Sequence, residues 1–197
     1  MEEIRIIEKP ETVSWETIRD VLQKAHQVHF DTGIVMHTTT LSAEELEKRV
    51  GSNGKCYVAM DGNAIVGTLS FIQKKYRRWY CNGTVAELTM QGVLPTYQGK
   101  HIGTNMTKIC EEDIYKSGIK MICFDTAEQN TIRIHMALKD QYRLVDYHFN
   151  NGHYSVEMMK WLEQCPFSQW YCMMRFNIKK ISVYLRHAIR PHAKRIV

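Results

Sequence analysis

The stretch Val93-Leu94-Pro95-Thr96-Tyr97-Gln98-Gly99-Lys100-His101-Ile102-Gly103-Thr104 decides the fold. An apolar strand runs into a proline, then a polar glycine-bearing loop, then an amphipathic helix. That order gathers backbone N–H groups at the positive end of a helix, which is a site for a pyrophosphate.

The elements around it follow from periodicity and punctuation. The helix after the loop carries Ile102, Met106, Ile109, Cys110 and Ile114 on one face, and Gly118 ends it. Glu87 to Val93 reads as the strand before the loop, reached through a connection around Tyr76-Arg77-Arg78-Trp79-Tyr80. Further upstream, Asp61-Gly62-Asn63 is a hairpin turn between strands at Cys56 to Met60 and Ala64 to Gln73. Glu3 to Glu8 reads as a first strand. Ser14 caps a helix with apolar Ile18, Val21, Leu22 and Ala25, and Ser42-Ala43-Glu44-Glu45 opens another with a capping box. His26 to Thr40 lacks periodicity and reads as a helix end plus a loop. Downstream come a strand at Met121 to Asp125, a helix at Thr131 to Lys139, and strands at Arg143 to Phe149 and Ser155 to Trp161 around Asn150-Asn151-Gly152. The fold class is α/β, with a mixed sheet built first from hairpins and then from a β-α-β-α-β-β run.

Composition sets the bounds. A chain of 197 residues with 44% hydrophobic and 24% charged residues suits one globular domain with a sizeable core. No run of about 18 apolar residues is present, and the start lacks an apolar signal region. The six cysteines form no C-x-x-C pair, and several sit in apolar segments, so reduced thiols, a cytoplasmic location and no metal are expected.

The net charge of +5 is unevenly placed: seven of the 26 Lys and Arg lie after Glu163, where no Asp or Glu occurs. Phe176, Ile178, Ile181, Leu185 and Ile189 recur there at near-helical spacing, with Arg175, Lys179, Arg186 and Arg190 interleaved. Such a basic helix lies on an anionic membrane surface, or packs on its own domain or a dimer mate. The expected organisation is a domain over residues 1–163 and a basic helical extension over 164–197.

The element order, together with Gln98-Gly99-Lys100-His101-Ile102-Gly103, resembles the GNAT superfamily of acetyl-CoA-dependent N-acetyltransferases. The family pattern is Gln or Arg, two residues, Gly, one residue, then Gly or Ala. Gln98 fills the first place and Gly103 the last, while His101 stands where the middle glycine is usual. A side chain fits there only if the backbone avoids positive φ. The resemblance runs over about residues 3 to 161, with Val93-x-Pro95 before the loop. It continues downstream, where Asn130 begins a helix ending at Gln141-Tyr142, the place of the family's Gly-Phe pair.

The resemblance implies a mainly antiparallel sheet splayed in a V and flanked by helices. It implies acetyl-CoA as cosubstrate and no metal. The N–H groups of Gln98, Gly99, Lys100, His101, Gly103 and Thr104 would bind the pyrophosphate, with Asn130 on the pantetheine arm. The strand at Gln91 to Val93 would carry a bulge, and the N–H near Gln91 would polarise the thioester carbonyl. Gly92 permits close approach of other backbone there.

Acetyl transfer needs a neutral amine, so a base or a water chain must take a proton. Glu87, eleven residues before Gln98, matches the base of histone-type members; it also reads as a solvated residue at a strand edge. The family's usual acid, a Tyr, falls at Ala137 and is absent. His29, His37 and Trp79 are candidates for the acceptor pocket, although His29 and His37 read equally as polar loop residues. His135 reads as a surface residue or as one turned into the cleft. Tyr76-Arg77-Arg78-Trp79-Tyr80 suggests stacking on bases or a clamp on an anionic acceptor, against a plain hairpin tip, and nucleic acid is the less favoured partner. The readings carried forward are an amine N-acetyltransferase acting by direct attack, a CoA-binding module without catalysis, and a membrane- or nucleic-acid-associated protein using the tail. The partners are an amine acceptor, a second copy of the chain, or an anionic membrane.

Overall fold

The computed structural model describes residues 4–31, 37–150 and 152–189. The strands form a mixed, mostly antiparallel seven-stranded sheet flanked by helices. The backbone groups into two compact units, Met1–Ile122 and Cys123–Val197, so the extension after residue 163 falls within the second.

The first unit carries β1 (Arg5–Glu8), α1 (Trp15–Ala25), α2 (Gln27–Asp31), α3 (Ala43–Val50), β2 (Gly54–Asp61), β3 (Ala64–Arg78), β4 (Cys81–Val93) and α4 (Ile102–Lys116). Its strands pair in sequence order, each antiparallel to the next. Local chemistry sets the boundaries. Ser14 Oγ accepts the Thr17 N–H, and Ser42 and Glu45 complete a capping box at α3. Gly62, at φ 56°, turns β2 into β3. Ile18 and Leu22 of α1 and Leu46 of α3 bury against Val58 and Met90 of the sheet, forming the core under the loop-bearing strand.

Two expectations are corrected here. The segment read as a loop around Tyr76 to Tyr80 is mostly strand, since β3 runs on to Arg78 and pairs with Cys81 across a two-residue turn at Trp79 and Tyr80. Charge hid this. Gln73, Lys75, Arg77 and Arg78 are exposed, and Lys74 and Lys75 find partners across the strand in Glu87 and Thr84 rather than in the core. The segment His26 to Thr40 also contains α2 and a 3-10 turn at His37–Thr39.

The second unit carries all but the first two residues of β5 (Met121–Ala127), with α5 (Thr131–Lys139), β6 (Arg143–Asn150), β7 (His153–Trp161) and α6 (Gln169–Ile189), in strand order β5-β7-β6. α6 packs on β6. Tyr147 is fully buried, with its ring against Phe176 and Tyr184. The Tyr147 and Tyr184 hydroxyls each donate to Glu128 Oε2, at 2.5 and 3.0 Å, and Lys180 pairs with Oε1. Burial alone would push the Glu128 carboxyl up, but these donors outweigh it and hold it below its ordinary value.

Candidate functional site

Near its C-terminal end β4 breaks register. Thr68 pairs with Gly92 and Ser70 with Thr89, so Met90 and Gln91 together stand opposite Leu69. This bulge, one residue earlier than expected, puts Met90 at φ 53°. Its side chain is buried in the core against α1 and α3. The Gln91 carbonyl accepts a bond from His26 Nε2 at 2.8 Å. A carbonyl can only accept, so Nε2 carries the proton. The Gln91 side chain donates to Thr107 Oγ1 at 3.2 Å, tying the bulge to α4. A Cβ on Gly92 would stand 2.9 Å from the Cβ of Ala25, so α1 approaches the bulge as closely as backbone permits.

Past the bulge, the Leu94 N–H bonds Val66 O and Pro95–Tyr97 forms one 3-10 turn. Three contacts fix the loop. Gln98 Nε2 donates to Val93 O at 3.0 Å, the Tyr97 hydroxyl donates to Asp61 Oδ2 at 2.8 Å, and Lys100 Nζ lies 4.7 Å from the Tyr97 ring centroid. That bond to Asp61 raises the Tyr97 phenol above its ordinary value. Gly99 takes φ 77° and His101 φ 59°. His101 therefore does what sequence reasoning disallowed: it adopts the left-handed conformation at the N-terminus of α4. Its side chain is exposed, so only backbone strain, about 1–2 kcal/mol, opposes this.

Gln98's own N–H is committed to Pro95 O at 3.2 Å, which removes it from the expected set of donors. The next six, from Gly99 to Thr104, have no acceptor among the described residues. No side chain caps α4, and no acid lies in its first turn, so the helix terminus stays electropositive. The loop thus presents six consecutive backbone N–H groups at the N-terminus of α4. A Cβ on Gly103 would meet nothing closer than 3.7 Å, which suits a pattern allowing Gly or Ala there.

The remaining predicted residues are placed as follows. Val93 ends β4, and Thr104 is half-buried in the first turn of α4. Glu87 is buried on β4, with Oε1 3.1 Å from Arg49 Nη2 and Oε2 on Lys74 Nζ. Trp79 is half-buried, edge-on to Tyr80. His37 is exposed, and its carbonyl accepts from Thr40. The His29 backbone belongs to α2, but its side chain lies outside the described residues. In the second unit, Asn130 caps α5 by accepting from the Arg133 N–H and donating to Thr126 Oγ1. Ala137 is buried. Burial pushes the Cys56, Cys110 and Cys172 thiols up, away from nucleophilic use. Among the described residues none of the cysteines forms a disulfide, and no group of three His, Cys, Asp or Glu could hold a metal ion.

Residues 15–141 match the pattern described as the Acetyltransferase (GNAT) family. The chain belongs to that family. Solved structures agree in fold. A GNAT-family acetyltransferase from Staphylococcus aureus has a TM-score of 0.64 at 16% identity, over 82% of this chain and 100% of that one. The ribosomal-protein-S18-alanine N-acetyltransferase of Escherichia coli gives 0.63 at 12%, over 82% and 96%. A GNAT-family acetyltransferase from Elizabethkingia anophelis with acetyl-CoA bound gives 0.58 at 17%, over 82% and 100%. No curated protein matches the chain in sequence.

Within the GNAT frame, His26, Met90 and Tyr97 support the loop, yet sequence reasoning passed over them. The signal was present only for Tyr97, inside the motif. His26 sits 65 positions from its partner, and nothing local announces that contact. Lys74 was missed because its pairing with Glu87 depends on the register of β3 with β4, and Arg49 because it reaches Glu87 from α3, 38 positions away.

Proposed function

We propose that this GNAT protein binds acetyl-CoA at residues 99–104 and transfers the acetyl group to an amine by direct attack. One observation carries the reading: six consecutive N–H groups at the terminus of α4 have no acceptor among the described residues. A pyrophosphate supplies the oxygens they need. Its family membership makes acetyl-CoA the donor of choice, and a GNAT neighbour from Elizabethkingia anophelis holds that molecule.

In the proposed reaction the neutral amine nitrogen attacks the thioester carbonyl carbon. The C–N bond forms, the C–S bond breaks, and CoA leaves as a thiolate. The proton lost from nitrogen goes to water or a base, and the thiolate takes up a proton from solvent. Backbone at the Met90–Gln91 bulge would steady the developing oxyanion. Glu87 is a poor candidate for the base, because its two oxygens are already engaged, one by Arg49 and the other by Lys74. In this reading it braces β4, and water carries the proton.

A second reading, CoA binding without turnover, draws on Ala137, which leaves no phenol at the family's usual acid position. A thiol-release assay with acetyl-CoA across amines of peptides, polyamines, sugars and aminoglycosides separates the two. Release that depends on one amine class supports transfer. Binding with no release from any of them supports the second reading.

A further inference from the structure

We propose that α6 is an in-plane anchor that docks on an anionic lipid surface. One side of this 21-residue helix is already used, through Phe176 on Tyr147 and Lys180 and Tyr184 on Glu128. The opposite side is apolar as well: Ile178 is 57% exposed, Ile181 60% and Leu185 57%, with Trp170 at 71% near the helix start. At about 100° per residue, the three aliphatic residues fall within about 60° of one another. The sequence-based expectation of one apolar face is thereby corrected, since Phe176 points inward while Ile178, Ile181 and Leu185 point outward. A helix with apolar residues on two opposite sides needs cover on both.

Charge selects what covers the outer side. Arg175, Lys179 and Arg186 lie roughly 60–100° to one side of the Ile178 line, with Lys179 also 3.5 Å from Asp146 Oδ1. No Asp or Glu follows Glu163, and Arg190, Lys194 and Arg195 extend the basic run in sequence. The occupant must therefore offer apolar depth and negative charge together. A second copy of α6 would bring the same cations and no acid. A nucleic acid would meet the cations and leave the aliphatic stripe in water. An anionic lipid surface meets both requirements: acyl chains for Ile178, Ile181 and Leu185, the interface for Trp170, and headgroups for the cations. No helix of the described residues is long and apolar enough to cross a membrane, so α6 would lie along the surface. This inference does not depend on acetyl transfer.

The test is co-sedimentation of the full chain with vesicles of phosphatidylcholine alone or with about 30% phosphatidylglycerol. The chain is expected to pellet with the anionic vesicles only, and binding should weaken at least roughly tenfold when salt rises from about 0.1 M to 1 M. The double variant Ile178→Ser, Leu185→Ser should lose binding roughly tenfold or more at an unchanged melting temperature, since both side chains are exposed. Three results would overturn the inference: no sedimentation with either vesicle, sedimentation that the double variant leaves intact, or equal binding to neutral vesicles. A dimer by light scattering that the double variant dissociates, with no vesicle binding, would overturn it in favour of a second copy.

Discussion

The Nε2 proton of His26 is held by the carbonyl of Gln91, at 2.8 Å, and this contact joins the end of α1 to the bulge before the Pro95 loop. The bulge departs from strand geometry, with Met90 at φ 53°, and its conformation depends on what lies behind it. His26→Ala leaves the carbonyl short of a partner in a half-buried position and should cost about 1–2 kcal/mol, read from urea unfolding. His26→Gln keeps a donor and should recover part of the loss. An unchanged midpoint in His26→Ala would remove the brace.

Gly92 and Gly103 should respond oppositely to the same added methyl. At Gly92 the new carbon meets Ala25 at 2.9 Å, and a helix must shift to admit it. Gly92→Ala should destabilise the protein by about 1–3 kcal/mol. Gly103 is helical and its surroundings are open to 3.7 Å, so Gly103→Ala should be neutral or stabilising by up to about 1 kcal/mol. Thermal unfolding of the two variants side by side checks the contrast.

His101 carries strain that glycine would not. His101→Gly relieves about 1–2 kcal/mol of left-handed strain, while the freer unfolded chain returns roughly 0.5–1 kcal/mol of that. A net gain of up to about 1.5 kcal/mol is expected, with affinity for acetyl-CoA retained. A marked loss of stability would mean that the imidazole makes a contact outweighing its backbone strain.

Sequence legibility divides along local and long-range lines. The caps at Ser14 and Ser42, the turn at Gly62 and the helix from Thr131 to Lys139 were readable because each is set within a few residues. The passage from β4 through the Pro95 turn into α4 was readable for the same reason. The end of β3 was not, because Lys74 and Lys75 look like loop residues until Glu87 and Thr84 stand across from them. The positive φ of His101 was also hidden, since histidine's dislike of that region is outweighed by the path from Pro95 to α4. The two-sided character of α6 needed Tyr147 and Glu128, distant in sequence, to fix which side faces in.

Packing of α6 on β6 should weaken in acid. The Glu128 carboxyl titrates below its ordinary 4.5 in the folded protein. Its contribution is therefore complete above that value and is lost as pH falls through the lower folded one. Urea midpoints at pH 7 and at about pH 3.5 should differ less in Glu128→Gln than in the unaltered chain. Equal acid losses in both would detach the effect from this carboxylate.

Glu87→Gln should act mainly on stability, because it leaves Arg49 and Lys74 facing a neutral amide. Both cations are partly exposed, so a cost of roughly 1–2 kcal/mol is expected rather than the larger penalty of a fully buried pair. If acetyl-transfer rate at saturating substrate instead falls by about a hundredfold or more with little change in unfolding, Glu87 is the base after all.

Isothermal titration of the full chain with acetyl-CoA bears most directly on residues 99–104. One molecule should bind per chain with a dissociation constant below about 1 mM, in the range where cosubstrates are used. Lys100→Pro, which deletes one of the six donors and disturbs the turn, should weaken binding at least about tenfold. Absence of binding at millimolar acetyl-CoA, or full affinity in Lys100→Pro, would contradict a pyrophosphate seated on those N–H groups.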